Sequence, residues 1–347
     1  MRTRKLRHIV RWQKDLPLMS DLKFAIRLYS FMAAMGTLKS IQWNAILGMF
    51  AFIKFLKEPH EIMRLICSPC AIRRFSVTLI LGQITMKISE SGAIEHTIQN
   101  HVAMVTMNNP PANTWTAESL TELKQLVLAL NENKDVYALV LTGQGEKFFS
   151  AGADLKLFAS GDKAVAVDMS RLFGAAFEAL SSFRGVSIAA INGYAMGGGL
   201  EVALACDIRI AEEQAVMALP EAKVGLLPCA GGTQNLTALV GEGWAKRMIL
   251  CAEQVTAEQA LNIKLVEEVV SKGNALDAAI SLAEMVANQS PSSVTACKSL
   301  IQNTRTNPLA HGLVRERELF IQLFDTEDQA EGVNAFLEKR PPQWKNR

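Results

Sequence analysis

The stretch that most constrains this chain runs from Ile188 to Ile208, IAAINGYAMGGGLEVALACDI. An apolar, β-like run from Val186 to Ile191 stops at Asn192-Gly193. Gly197, Gly198 and Gly199 then open an apolar segment long enough for two turns of helix. A strand feeding a glycine-opened helix presents unpaired backbone N–H groups with the positive end of the helix dipole behind them, which is a place for an anion. Inside that helix, among Leu200, Val202, Ala203, Leu204, Ala205 and Cys206, sits Glu201. A carboxylate buried in such company is costly unless it is paired or used.

Two further pieces flank this one: FFSAGADLKL upstream, from Phe148 to Leu157, and Glu221 downstream in ALPEAKVGLLP. Taken singly, three glycines mark a tight turn, and Glu221 is the loop partner of Lys223. Together, in this order, they point to a site.

Charge divides the sequence. Met1 to Thr85 carries 14 Lys+Arg against 4 Asp+Glu, and the remainder 36 − 14 = 22 against 34 − 4 = 30, so a basic leader precedes a net acidic body. Arg2, Arg4, Lys5, Arg7 and Arg11 open the leader, and its apolar run Ile41 to Phe55 is too short for a membrane span. Residues 1–85 are read as an extension outside the fold, and the preferred reading starts the functional protein at Met86. A mitochondrial transit segment and a basic amphipathic surface helix stay open. The expected location is the cytoplasm, or the mitochondrial matrix if the leader is genuine. Six scattered cysteines do not form a disulfide framework, and the Cys67/Cys70 pair lacks the partners of a zinc or redox site.

From Ala93 onward, AIEHTIQ and VAMVTMN predict two strands around a turn at Asn100-His101. Trp115 to Asn131 has helical periodicity through Leu120, Leu123, Leu126, Val127 and Leu130, with Thr116 as a cap. Strands at Val136 to Thr142, Val186 to Ile191 and Asp207 to Ala211 alternate with a helix from about Ala164 to Phe183 and with the glycine-opened helix. This order predicts an α/β layer with its site at the strand ends. After Glu221, CAGGT opens another helix. The rest is mostly helical, with starts at Thr256, Pro291 and Thr326 and a basic tail after Gly332.

From about Ala93 to its end, the chain resembles the crotonase superfamily, and most closely enoyl-CoA hydratase, through SAGAD, the ungapped glycine-helix stretch and the two glutamates. The resemblance implies a crotonase-like (ββα)-unit superhelix, core 86–280, with a helical C-terminal trimerisation region, 281–347. It implies that the backbone N–H groups of Ala153 and Gly198 form an oxyanion hole. It implies that Glu201 and Glu221, whose spacing 221 − 201 = 20 is that of the hydratases, act on one water. Two carboxylates near one water can divide proton removal and delivery between them. The division expected is Glu201 activating water and Glu221 donating to C2.

Coenzyme A, as part of the substrate, is expected across Ala151, Asp154, Leu155 and Lys156, with Gly197 and Cys229 at the acyl group and Lys339, followed by Arg340, at phosphate. No metal or separate cofactor is implied. Cys229 and Asn235 stand where family hydratases commonly carry glycine and arginine, which bears on acyl preference, and a thiol at a helix start is open to a lowered pKa. The expected assembly is a homotrimer or homohexamer, without nucleic acid and without stable membrane insertion.

The reaction expected is hydration of trans-2-enoyl-CoA. Isomerisation, dehalogenation, decarboxylation and thioester hydrolysis are the rivals that keep the oxyanion hole. A fused NAD-binding dehydrogenase has no room beyond Arg340. An RNA-binding relative would need a basic surface, which only the leader offers.

Overall fold

The computed structural model describes strands β1 (Ser76–Ile80) and β2 (Gln83–Lys87) and all of residues 91–347. The chain divides into Met1–Thr78 and Leu79–Arg347, and the architecture below is that of the second unit. Apart from the two strands, the extension at 1–85 lies outside the described residues, as do Cys67 and Cys70.

β3 (Ile94–Gln99) and β4 (Val102–Met107) form the expected antiparallel hairpin. Asn100 (φ 49°) and His101 (φ 66°) take the paired positive φ values of a tight two-residue turn. Helix α1 (Ala117–Glu132) begins where Thr116 accepts from the Ser119 N–H and Ser119 Oγ accepts from the Thr116 N–H, a reciprocal cap. Its buried face contains Leu120, Leu123, Leu126, Val127 and Leu130, as the spacing predicts.

Three repeats follow: β5 (Ala138–Gly143), β6 (Phe148–Ser150) and α2 (Lys163–Ser181); then β7 (Val186–Ile191), β8 (Tyr194–Met196) and α3 (Gly198–Ala205); then β9 (Ile208–Glu212), β10 (Val216–Ala218) and α4 (Gly232–Leu250). After them come β11 (Val255–Thr256), α5 (Ala257–Asn262), β12 (Glu268–Val270), α6 (Ala275–Ala287), α7 (Pro291–Asn303), α8 (Leu309–Leu323) and α9 (Glu327–Glu338). The first strand of each repeat joins a six-stranded sheet, order β12-β9-β7-β5-β4-β3. The second joins a four-stranded sheet, order β11-β10-β8-β6. This is the (ββα) superhelix that the resemblance implies. Residue patterning showed only the first strand of each repeat, because three residues are too few to display alternation.

The six-stranded sheet is buried on both faces. Leu139, Leu141, Ala189 and Ile191 face the main core with α1 and α2, while Ala138, Val140, Ile188 and Ala190 meet Ala275, Ala279 and Ala283 of α6. The C-terminal helices start at Thr256, Pro291 and Thr326 as expected. Lys298 of α7 ties them to the core, donating to the carbonyls of Phe183 (2.6 Å) and Gly185 (2.9 Å) and to Asp207 Oδ2 (2.6 Å). Among the described residues no helix is long and apolar enough to cross a membrane.

The loop before α1 is fastened to β6 by one buried side chain. Asn113 (φ 52°) donates from Nδ2 to the carbonyls of Gln144 (3.0 Å), Phe148 (2.9 Å) and Phe149 (3.3 Å), and its own carbonyl accepts from Ser150 Oγ (2.7 Å). Asn113→Ala strips these carbonyls, of which that of Phe149 is buried, of their donor and is expected to cost about 1–3 kcal/mol, read as a lower urea midpoint with an unchanged m-value.

Candidate active site

The SAGAD loop and the start of α3 lie against each other, and each carries a peptide N–H without a partner among the described residues. The Trp115 N–H donates to the Gly152 carbonyl (2.8 Å), and the Trp115 carbonyl accepts from the Asp154 N–H (3.3 Å), a parallel bridge centred on Ala153. Extended backbone alternates, so the Ala153 N–H points away from Trp115, and it donates to no group among the described residues. Gly152 (φ 85°) turns the loop against the helix start: a β-carbon there would lie 2.6 Å from the Met196 carbonyl oxygen and 3.0 Å from the Gly198 nitrogen. Gly198 begins α3, and its N–H lacks an intrahelical partner because no helical turn precedes it, while the Gly197 carbonyl accepts from Leu200 (2.8 Å) and Glu201 (2.9 Å). Ala153 and Gly198 thus carry unpaired amides on adjoining segments. Gly197 (φ 53°, ψ −124°) can only be glycine, since a β-carbon would lie 2.9 Å from Glu221 Oε1.

The two glutamates sit against this junction in different settings. Glu201, 3% exposed, keeps Oε1 on the N–H groups of Ala230 (2.8 Å) and Gly232 (2.9 Å) at the entry to α4. Burial pushes its pKa up, and the two amides oppose that by favouring the ionised form. Glu221 opens the short 3-10 helix Glu221–Val224 and does not pair with Lys223 among the described residues. Its Oε2 is buried without a hydrogen-bond partner. Burial first and the nearby Glu201 charge next raise its pKa to about 7, against the bond from its own N–H. Both carboxyls are thus held above the usual carboxylate range, but only Glu201 has amide donors that favour its ionised form, while Glu221 is poised to hold a proton near neutrality.

Cys229 lies in the loop that grips Glu201, and the expectation of a lowered thiol pKa is overturned. The residue is exposed, but its surroundings desolvate the sulfur, and Glu201 and Glu221 add repulsion, so the thiol rises to about 11. Desolvation first, and then the two carboxylates, outweigh the helix start. The Ala151 N–H is spent on the Ala112 carbonyl (2.9 Å), and Asp154 caps Leu155–Phe158 through Lys156 N (3.0 Å). Leu155 is exposed, and Lys156 pairs with no acid among the described residues. Lys339 ends α9 with φ 56°, while Arg340 is held by Glu331 (2.6 Å) and Glu338 (2.6 Å). Asn235 accepts from Arg305 (3.4 Å).

Residue patterning missed the groups that support the site. Trp115 read as the first turn of a helix, and only its bridge to the loop reveals its place. Phe173, not singled out from the sequence, is a core residue of α2 that also backs the site: a β-carbon on Gly198 would lie 3.0 Å from its Cε1. The amides of Ala230 and Gly232 left one trace, the glycine pair of CAGGT before a helix.

The family model for enoyl-CoA hydratase/isomerase matches residues 97–347. The 2,3-dehydroadipyl-CoA hydratase of Escherichia coli is 39% identical over 250 residues, 72% of this chain and 97% of that protein. Among solved structures, Pseudomonas aeruginosa DspI is 62% identical with a TM-score of 0.73, covering 75% of this chain and 99% of that one. An enoyl-CoA hydratase from Bacillus anthracis is 34% identical with a TM-score of 0.69, covering 79% and 100%.

A carboxyl whose pKa rises on folding weakens the fold at high pH. With Glu221 moved from 4.5 to about 7, its favourable share is complete below pH 4.5 and is lost as pH climbs through 7. Glu221→Gln, which stays neutral, should therefore match the parent near pH 4.5 and exceed it above pH 7 by about 1–3 kcal/mol, as read from denaturant midpoints at both pH values.

Proposed function

The chain belongs to the enoyl-CoA hydratase/isomerase family, and we propose that within it this protein hydrates trans-2-enoyl-CoA to 3-hydroxyacyl-CoA. The observation that carries this reading is the pair of buried glutamates beside unpaired amides, one with two amide donors on Oε1 and the other with none on Oε2. Attack of water at C3 drives electrons onto the thioester oxygen, where the N–H groups of Ala153 and Gly198 receive the negative charge. Glu201, kept receptive by two donors, takes the water proton, and Glu221, protonated near neutrality, delivers one to C2. Water is consumed whole, and the two carboxyls exchange roles until a proton passes between them and solvent. Because the sites interact, both pKa values belong to the pair. A Δ3,Δ2-isomerase needs the same oxyanion donors but a single shuttling carboxyl. A second carboxyl, Glu201, with two amide donors that favour its ionised form, favours hydration.

In this reading Ala151, Asp154, Leu155 and Lys156 border the coenzyme A carrier, and Lys339 is available to a phosphate. Gly197 and Cys229 border the acyl group. A homotrimer or homohexamer is supported by the apolar surface of α8 and its neighbours: Leu309, Phe320, Ile321, Phe324 and Phe336 are all more than half exposed in the single chain.

The full chain should consume crotonyl-CoA, followed by loss of the conjugated thioester absorbance. Glu201→Gln and Glu221→Gln should each lower kcat about 10²- to 10⁴-fold with the fold retained. Full activity in both variants would refute the two-carboxylate mechanism. Hydration should also fall as pH rises through about 7, where Glu221 loses the proton it donates.

A further inference from the structure

Trp115 is where the two halves of the amide pair meet. Its peptide group brackets Ala153, donating to the Gly152 carbonyl (2.8 Å) and accepting from the Asp154 N–H (3.3 Å). Its ring closes the space beside Gly198, where a β-carbon would stand 3.4 Å from Trp115 Cδ1 and 3.0 Å from Phe173 Cε1. The ring is 1% exposed and meets Phe177 edge-on, with centroids 5.5 Å apart, and Phe177 meets Phe173 the same way at 5.6 Å. Three interlocked aromatic rings thus back the first turn of α3. Trp115 Nε1 is buried with no partner, so the ring contributes shape here and not a hydrogen bond.

We propose that Trp115 is a positioning residue for thioester activation: its backbone aims the Ala153 amide, its ring fixes the Gly198 amide, and the two thereby converge on one oxygen. The inference rests on the acyl-thioester reading above. Preorganised donors lose effect steeply with small displacements, so a change at Trp115 should act on turnover more than on binding.

Trp115→Leu keeps the backbone bridge and empties part of the space beside Gly198. It should lower kcat about 10- to 100-fold with KM within about threefold. It should also shrink the red shift that cinnamoyl-CoA undergoes when its carbonyl is polarised on binding. Trp115→Phe, which keeps a ring and removes the unpartnered N–H, should restore both readouts to within about threefold of the parent. A general loss of stability would lower apparent kcat and kcat/KM together through the folded fraction, but would leave the red shift of the folded, bound fraction unchanged, so the red shift is the readout that separates the two.

Parent-like kcat and red shift in Trp115→Leu would overturn the proposal. So would a folded Trp115→Phe that loses as much as the leucine variant. If Trp115→Leu does not fold, Trp115→Met takes its place under the same readouts. A parent protein that polarises bound cinnamoyl-CoA but hydrates no enoyl-CoA would count against the hydratase reading and leave the red-shift comparison to decide the role of Trp115.

Discussion

The rest of the site depends on the burial of the Glu201 carboxylate in α3, every residue of which is buried. An ion there is tolerable only with strong donors, and the donors are the N–H groups of Ala230 and Gly232. That demand explains Gly232, whose β-carbon would lie 2.8 Å from Glu201 Oε1, and it sets where α4 begins. It also explains why Glu221, without comparable donors, is the carboxyl that resists ionisation.

The superhelix delivers these pieces to one place. Each repeat sends one strand to the larger sheet and the next to the smaller one, so the ends of β6, β8 and β10 lie side by side. The SAGAD loop leaves β6, α3 follows β8, and Glu221 follows β10. Segments far apart in sequence are thus neighbours because three short parallel strands are neighbours. The larger sheet, filled on both faces, is the frame they are mounted on.

What the sequence showed was set by which groups carry the contacts. The glycine-opened helix, the cap at Thr116, the buried stripe of α1 and the two glutamates were all legible because a side-chain type or a period marks each of them. The strands β6, β8 and β10 were not, at three residues each. The support of Glu201 by peptide amides was also hidden, since any residue but proline offers an N–H. Trp115 was hidden differently: helical periodicity places it at the start of α1, and is silent on which backbone its ring presses against. At Cys229 a rule about helix starts gave the wrong sign, because the desolvation of the sulfur, and after it the nearby carboxylates, appear only once the chain is folded.

The segment Glu221–Gly232 bears one acid and, through its last residues, grips the other. Swinging it outward would strip Glu201 of both donors and hydrate Glu221 in the same movement. The pKa of Glu201 would rise further as that of Glu221 fell, so the position of this one segment sets the protonation of both carboxyls at once.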